Sequence, residues 1–138
     1  MKILGLDIGE KRIGIAISDA LGIIAQGLET FYRENPPGII EKLRKIVKEE
    51  GVSAIVVGLP LNMDGTEGPK AKEAINFANE LKKEIELPVK LWDERLSTVE
   101  VERLMISAGA SRAKRKKKID KLAAQVILQG YLDSRKHE

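Results

Sequence analysis

Three carboxylates in this chain stand where a purely structural role is hard to assign. Asp7 interrupts the apolar, glycine-rich run KILGLDIGEKRIGIAISD that follows the first Met. A charge enclosed by apolar neighbours is costly unless a partner offsets it. Glu94, with Asp93 beside it, closes the stretch PVKLWDE, and Asp120 opens the apolar-periodic segment IDKLAAQVILQGYLD. Acids brought together from separate segments repel one another, and a divalent cation removes that repulsion. Ligands that are all oxygen suit Mg²⁺ or Mn²⁺. Two such ions about 4 Å apart activate a water and stabilise the leaving oxygen in phosphodiester cleavage. This route needs neither cysteine nor histidine. Cysteine is absent, and the single histidine, His137, is the penultimate residue, where chains fray.

Each acid also has a plainer role open to it. Asp7 can bond backbone amides at a strand end, Glu94 can pair with Arg95 or cap the following helix, and Asp120 can complement a helix N-terminus. Other chemistries fall away. Lack of cysteine excludes disulfides, thiolate zinc sites and a cysteine nucleophile. There is no G-x-S-x-G elbow, no G-x-x-x-x-G-K-[ST] phosphate loop and no G-x-G-x-x-G fingerprint. Apolar runs are short and broken by charge, so no signal peptide or membrane span is expected, and the expected location is the cytoplasm.

Charge is unevenly spread. Residues 112–121, RAKRKKKIDK, carry seven of the 24 basic residues and one of the 21 acidic ones, leaving 17 basic against 20 acidic elsewhere. A local basic surplus points to a polyanionic partner; the bland alternative is a solvated face. Lys116, Lys117 and Lys118 near a helix N-terminus oppose its dipole, whereas a grip on phosphates explains them. Lys11 and Arg12, in the turn after Asp7, suit the same grip. With 4% aromatic residues, base stacking is a minor term, and backbone and shape recognition is expected.

The elements that must position these groups follow from the hydrophobic pattern. Strands are expected at KILGLDI, IGIAIS, IIAQGLETFYR (with Gly27 marking a bulge), SAIVVGLP and PVKLWDE. Asn35 and Pro36 open a first helix that Gly51 ends, and Pro69 opens a second with Ala71, Ala74, Ile75, Ala78, Leu81 and Ile85 on one face. Ser97 and Glu100 form a capping box for a third helix ending near Gly109. A last helix is expected from about Ile119 to Ser134, with Leu122, Ala123, Val126 and Ile127 inward. The order β-β-β-α-β-α-β-α-α predicts an α/β domain with a mixed sheet. One domain over residues 1–138 suffices, since no linker or repeat divides the chain. Asp7 then lies near the C-terminal end of its strand, where ligands of open α/β sheets gather.

The stretches GLDIGEKRIGIAISD, VVGLPLNMDGTEGPKA, DERLSTVE and IDKLAAQVILQGYLD, in this order, resemble the motifs of the YqgF/RuvX family, over essentially the whole chain. The resemblance implies an RNase H-like fold with a five-stranded mixed sheet whose first three strands are antiparallel. It implies a nuclease of Holliday-junction-resolvase or pre-16S rRNA-processing type, with Asp7, Glu94 and Asp120 as catalytic, metal-holding residues for one or two Mg²⁺ or Mn²⁺ ions. Asp93 belongs to the same motif without an assigned role. Lys11, Arg12 and Arg95 match positions that meet phosphate, and Asn62, Asp64 and Thr66 match a loop near the site, where they are expected to contact substrate or support the site residues. Lys114, Arg115, Lys116, Lys117 and Lys118 add backbone contacts. The expected partner is nucleic acid, an rRNA precursor or branched DNA, met by a monomer or a homodimer. The alternatives are a non-catalytic nucleic-acid-binding factor in ribosome assembly or transcription, and an actin-like ATPase, whose fold also uses D-x-G after its first strand.

Overall fold

The computed structural model describes residues 1–33, 36–94 and 112–135, the side chains of 36–37 and 112–120 excepted. Five strands form one mixed sheet: β1 (Lys2–Ile8), β2 (Arg12–Ser18), β3 (Ala25–Tyr32), β4 (Val52–Leu59) and β5 (Val89–Asp93), in spatial order β3-β2-β1-β4-β5. β1, β2 and β3 pair antiparallel, and β4 joins β1 and β5 in parallel. The near-continuous apolar runs of β1 and β4 are explained by their central place, since both faces of the sheet are covered. The fold class expected from the sequence is the one observed.

One face carries the larger core. Leu4, Leu6, Ile13, Ile15, Ile55 and Val57 pack there against α1 (Pro36–Glu50) and α2 (Pro69–Glu84) through Ile39, Leu43, Ala74, Phe77 and Leu81. On α2, Phe77 is buried, whereas Ile75 is half-buried. Gly51, at φ +66°, ends α1 as expected. The opposite face is covered by α3 (Arg112–Arg135), whose Ala124, Ile127, Leu128, Tyr131 and Leu132 close over Ile3, Ala16, Ala25 and Val56. Side chains here are smaller because the helix comes close: a Cβ on Gly5 would stand 2.8 Å from Leu128 Cβ.

Two element starts and one helix face differ from expectation. α3 begins at Arg112 rather than near Ile119, so the basic segment forms its opening turns. Lys, Arg and Ala are strong helix formers, and no glycine or proline interrupts 112–121. Asp120 consequently lies in the third turn of the helix, too far in to serve as an N-terminal dipole partner. The inward face of α3 is also rotated: Val126 is 37% exposed, Leu122 half-buried, and Ala124 and Leu128 fully buried. β3 starts at Ala25, because Asp19 Oδ1 accepts the N–H groups of Ile23 and Ile24 and turns them into a loop. The expected bulge is present: Ile15 pairs with Glu29 and Ala16 with Gly27, leaving Leu28 as the extra residue. Asn35 and the helix expected from Ser97 to Gly109 lie outside the described residues. Among the described residues, no helix is long and apolar enough to cross a membrane.

The outer edge of β3 is closed by α3. Gln129 Oε1 accepts the Ala25 N–H at 2.8 Å, Gln125 Oε1 accepts the Gly27 N–H at 3.2 Å, and Gln129 Nε2 donates to the Ile23 carbonyl. Side-chain amides thus replace a missing sixth strand. Gln129→Ala is expected to lower unfolding free energy by about 1–3 kcal/mol, because it strands a half-buried amide. Urea midpoints compared with those of exposed Val126→Ala check this; equal midpoints would contradict it.

Candidate active site

Strand alternation decides which side chains meet. Ile3, Gly5 and Asp7 lie on the α3 face of β1, and Val56 and Gly58 on that face of β4. Trp92 packs against the same cluster, and the Glu94 N–H donates to the Leu59 carbonyl at 3.2 Å, carrying the β4–β5 ladder one residue past β5. Asp7 and Glu94 therefore emerge at the C-terminal ends of two strands that flank β4. They line a cavity of about 570 Å³ with Ile8, Gly9, Glu10, Pro60, Pro69, Lys70 and Glu73.

Glu94 is the strained member. Its Oε2 is buried with no hydrogen-bond partner among the described residues. Burial pushes its carboxyl from the ordinary 4.5 up to about 8, the charges of Asp7 and Asp93 add to the rise, and the Lys70 ammonium opposes it. The carboxylate sits directly over Gly58. A Cβ there would collide with Glu94 Oε2 and come within 2.7 Å of Ile127 Cδ1. Gly58 was not singled out from the sequence, although a glycine inside the β-branched run SAIVVGLP signals close approach.

The other expected residues are distributed unevenly. Lys11 is exposed in the β1–β2 turn, and Arg12, half-buried, opens β2 opposite Tyr32. Asn62, Asp64 and Thr66 form an exposed loop between β4 and α2 that is closed on itself. Asn62 Nδ2 donates to Thr66 Oγ1 at 3.0 Å, and the Thr66 hydroxyl donates to Asp64 Oδ1 at 2.6 Å. The Thr66 hydroxyl and amide hold the Asp64 carboxyl below its usual range. The loop reaches the cavity through its ends, Pro60 and Pro69. Arg33, also not singled out from the sequence, clasps the opposite rim: its Nη1 donates to the Gly9 carbonyl at 3.0 Å and to Glu73 Oε1. Arg95 lies outside the described residues, as do the side chains of Asp120 and of 114–118. Their backbone positions on α3 are informative. α3 runs antiparallel to β1, with Leu132 near Met1 and Ala124 near Gly5. Position 120 is one turn, about 5.4 Å, further toward the Asp7 end, and the basic positions lie beyond it.

A hard divalent cation fits this donor set: Asp7 and Glu94 supply only oxygens, and buried Glu94 Oε2 lacks, among the described residues, the partner such an atom needs. Among the described residues no third carboxylate completes a cluster.

The RuvX family profile, described as Holliday junction resolvase, matches residues 1–134. The chain belongs to the RuvX family. It is similar to a protein of Geobacillus kaustophilus (strain HTA426) named "Putative pre-16S rRNA nuclease", 54% identical over 99% of this chain and 100% of that one. A Clostridium novyi (strain NT) protein of the same name is 52% identical over 97% of this chain and 99% of its own. In fold it is similar to T. thermophilus RuvC in complex with a Holliday junction substrate: TM-score 0.58, 16% identity, covering 98% of this chain and 95% of that one. It is likewise similar to the Fowlpox virus resolvase in complex with Holliday junction DNA: TM-score 0.56, 15% identity, 98% and 99% covered. These likenesses agree with an RNase H-like architecture.

The raised Glu94 pKa makes stability pH-dependent. Unfolded, Glu94 ionises near 4.5; folded, it keeps its proton to about 8. Between these values the native state binds a proton that the unfolded state lacks, so in EDTA this group's contribution falls as pH rises from 4.5 to 8 and is level above. Glu94→Gln is expected to flatten that part of the profile, measured by urea midpoints from pH 5 to 9. An unchanged slope in the variant would refute the burial argument.

Proposed function

We propose that this chain is a divalent-metal-dependent endonuclease acting on structured nucleic acid, with an rRNA precursor as substrate. The observation that carries this is the pairing of Asp7 with a half-buried Glu94, whose buried Oε2 has no hydrogen-bond partner among the described residues, at the strand ends that line one cavity. Asp7, Glu94 and Asp120 would hold the ion. Bound there, a divalent cation supplies activation of water as nucleophile and charge neutralisation at the leaving oxygen.

The remaining work falls to the chain itself. β1 and the β4–β5 ladder fix Asp7 and Glu94 on rigid backbone, which holds them close despite their repulsion. Gly58 leaves the space that Glu94 occupies. Burial and the neighbouring acids favour the protonated form of Glu94, which lessens the repulsion between the two carboxyls when no cation offsets it. Arg33 and the self-bonded 62–66 loop brace the two rims. Lys11, Arg12, Arg95 and the basic positions 114–118 bind phosphates along the approaching backbone, the last from the helix end on the Asp7 side. An RNA substrate is favoured by the name of the relatives that match this chain over nearly its whole length; branched DNA is the comparison arm.

With Mg²⁺ or Mn²⁺, purified protein is expected to cut a pre-16S rRNA 5′-leader transcript, and EDTA to abolish cutting. Asp7→Asn is expected to slow it by about a hundredfold or more, since the ion supplies several kcal/mol at the transition state. Gel analysis of the transcript and of a four-way DNA junction reads this out. Cleavage that survives EDTA or Asp7→Asn would reject the assignment; salt-sensitive binding without cleavage under either metal would favour the non-catalytic binding factor.

A further inference from the structure

The cavity has an unbalanced lining. Four carboxylates, of Asp7, Glu10, Glu73 and Glu94, face it, and among the described lining residues the only cation is Lys70. A phosphodiester must enter this space carrying its own negative charge. Glu73 is paired with Arg33, and Lys70 borders the cavity together with Asp7 and Glu94.

Lys70 is also placed against the interest of its own helix. It is the second residue of α2, in a first turn that holds no acid, behind an N-cap, Gly68, that makes no side-chain hydrogen bond. A cation at a helix N-terminus opposes the dipole and lowers helix stability. Lys70 is exposed, and no ion pair ties it down among the described residues. It lines the cavity, and its ammonium lowers the Glu94 pKa against the larger effects that raise it.

We propose that Lys70 is a substrate-positioning residue of this site, holding a non-bridging oxygen of the nucleic-acid phosphate that sits against the Asp7–Glu94 pair. The proposal rests on the nuclease activity proposed above and adds a residue to it. Lys70 donates N–H bonds to the phosphate oxygen and offsets the carboxylate field as the substrate enters. The dipole of α2 adds positive potential at the same point. The 62–66 loop, held rigid by its own hydrogen bonds, ends at Pro69, immediately before Lys70, and so fixes where that positive charge stands. Lys70 makes no bond and breaks none; its contribution is to where the phosphate rests.

The test compares wild type with Lys70→Ala and Lys70→Arg. Probes are a fluorescent RNA stem-loop and a fluorescent four-way DNA junction, with Ca²⁺ for binding and Mg²⁺ for cleavage. Lys70→Ala is expected to weaken binding of the cleaved probe about tenfold and to lower the slope of log K against log salt by about one. KM is expected to rise more than kcat falls, and Lys70→Arg to restore most of the binding. Because Lys70 opposes the helix dipole, Lys70→Ala is expected to melt no lower than wild type, which excludes misfolding as the cause. If Lys70 merely offsets Asp7 and Glu94, Lys70→Ala would leave probe affinity and salt slope unchanged while tightening Ca²⁺ binding; that result overturns the proposal and leaves the nuclease standing. Wild-type protein that neither binds nor cuts either probe overturns both.

Discussion

Two acidic side chains held together by a carbon scaffold are the constraint from which the rest of this structure follows. Asp7 and Glu94 sit where they do because β1 and β5 both run parallel to β4, so that both strands end at the same margin of the sheet. Neither can retreat without breaking strand register. Burial and the neighbouring acids raise the Glu94 pKa, and the protein accepts a less stable fold in exchange for a site that attracts a cation. That trade is tolerable because the surrounding packing is over-determined. Ile127 closes against Gly58, and Trp92 meets Tyr131 edge-on at 5.9 Å between ring centres.

The two faces of the sheet divide the labour. The face under α1 and α2 is built from large aliphatic side chains and supplies most of the apolar burial. The face under α3 is built from small ones, so the helix approaches closely enough to bring its own residues to the strand ends. The acids of this centre stand at the ends of regular strands, and Arg33 ties the Gly9 carbonyl to Glu73 at its rim. Precise placement of charged groups is better supported by such elements than by free loops.

Much of this was legible in the amino-acid order. A charged residue inside an apolar strand is conspicuous, which is why Asp7 stood out, and Glu94 followed from closing a second such run. The hairpin of β1 and β2 followed from the short turn between two apolar stretches, whereas the antiparallel pairing of all three first strands came from the family resemblance. The start of α3 was misplaced because a dense basic run reads as a solvated linker, while its intrinsic preference is helical. The face of α3 was misread at Val126 because a helical stripe can be drawn through either Val126 or Leu128; contact with Gly5 decides, and that contact is tertiary. Gly58 and Lys70 escaped notice for a related reason. One matters for the atom it lacks, the other for the cavity it borders, and neither property is visible along the chain.

The amides of Gln125 and Gln129 that close β3 lie 98 and 104 residues downstream of the N–H groups they satisfy. A polypeptide emerging from the ribosome therefore presents the residues of its first three strands long before those that cover their outer margin are made. Until the last helix arrives, the nascent sheet presents an open ladder to any neighbour able to add a strand. Protection against such templated association is thus a late event of synthesis, and its timing is set by the distance between one helix and one strand in the gene product.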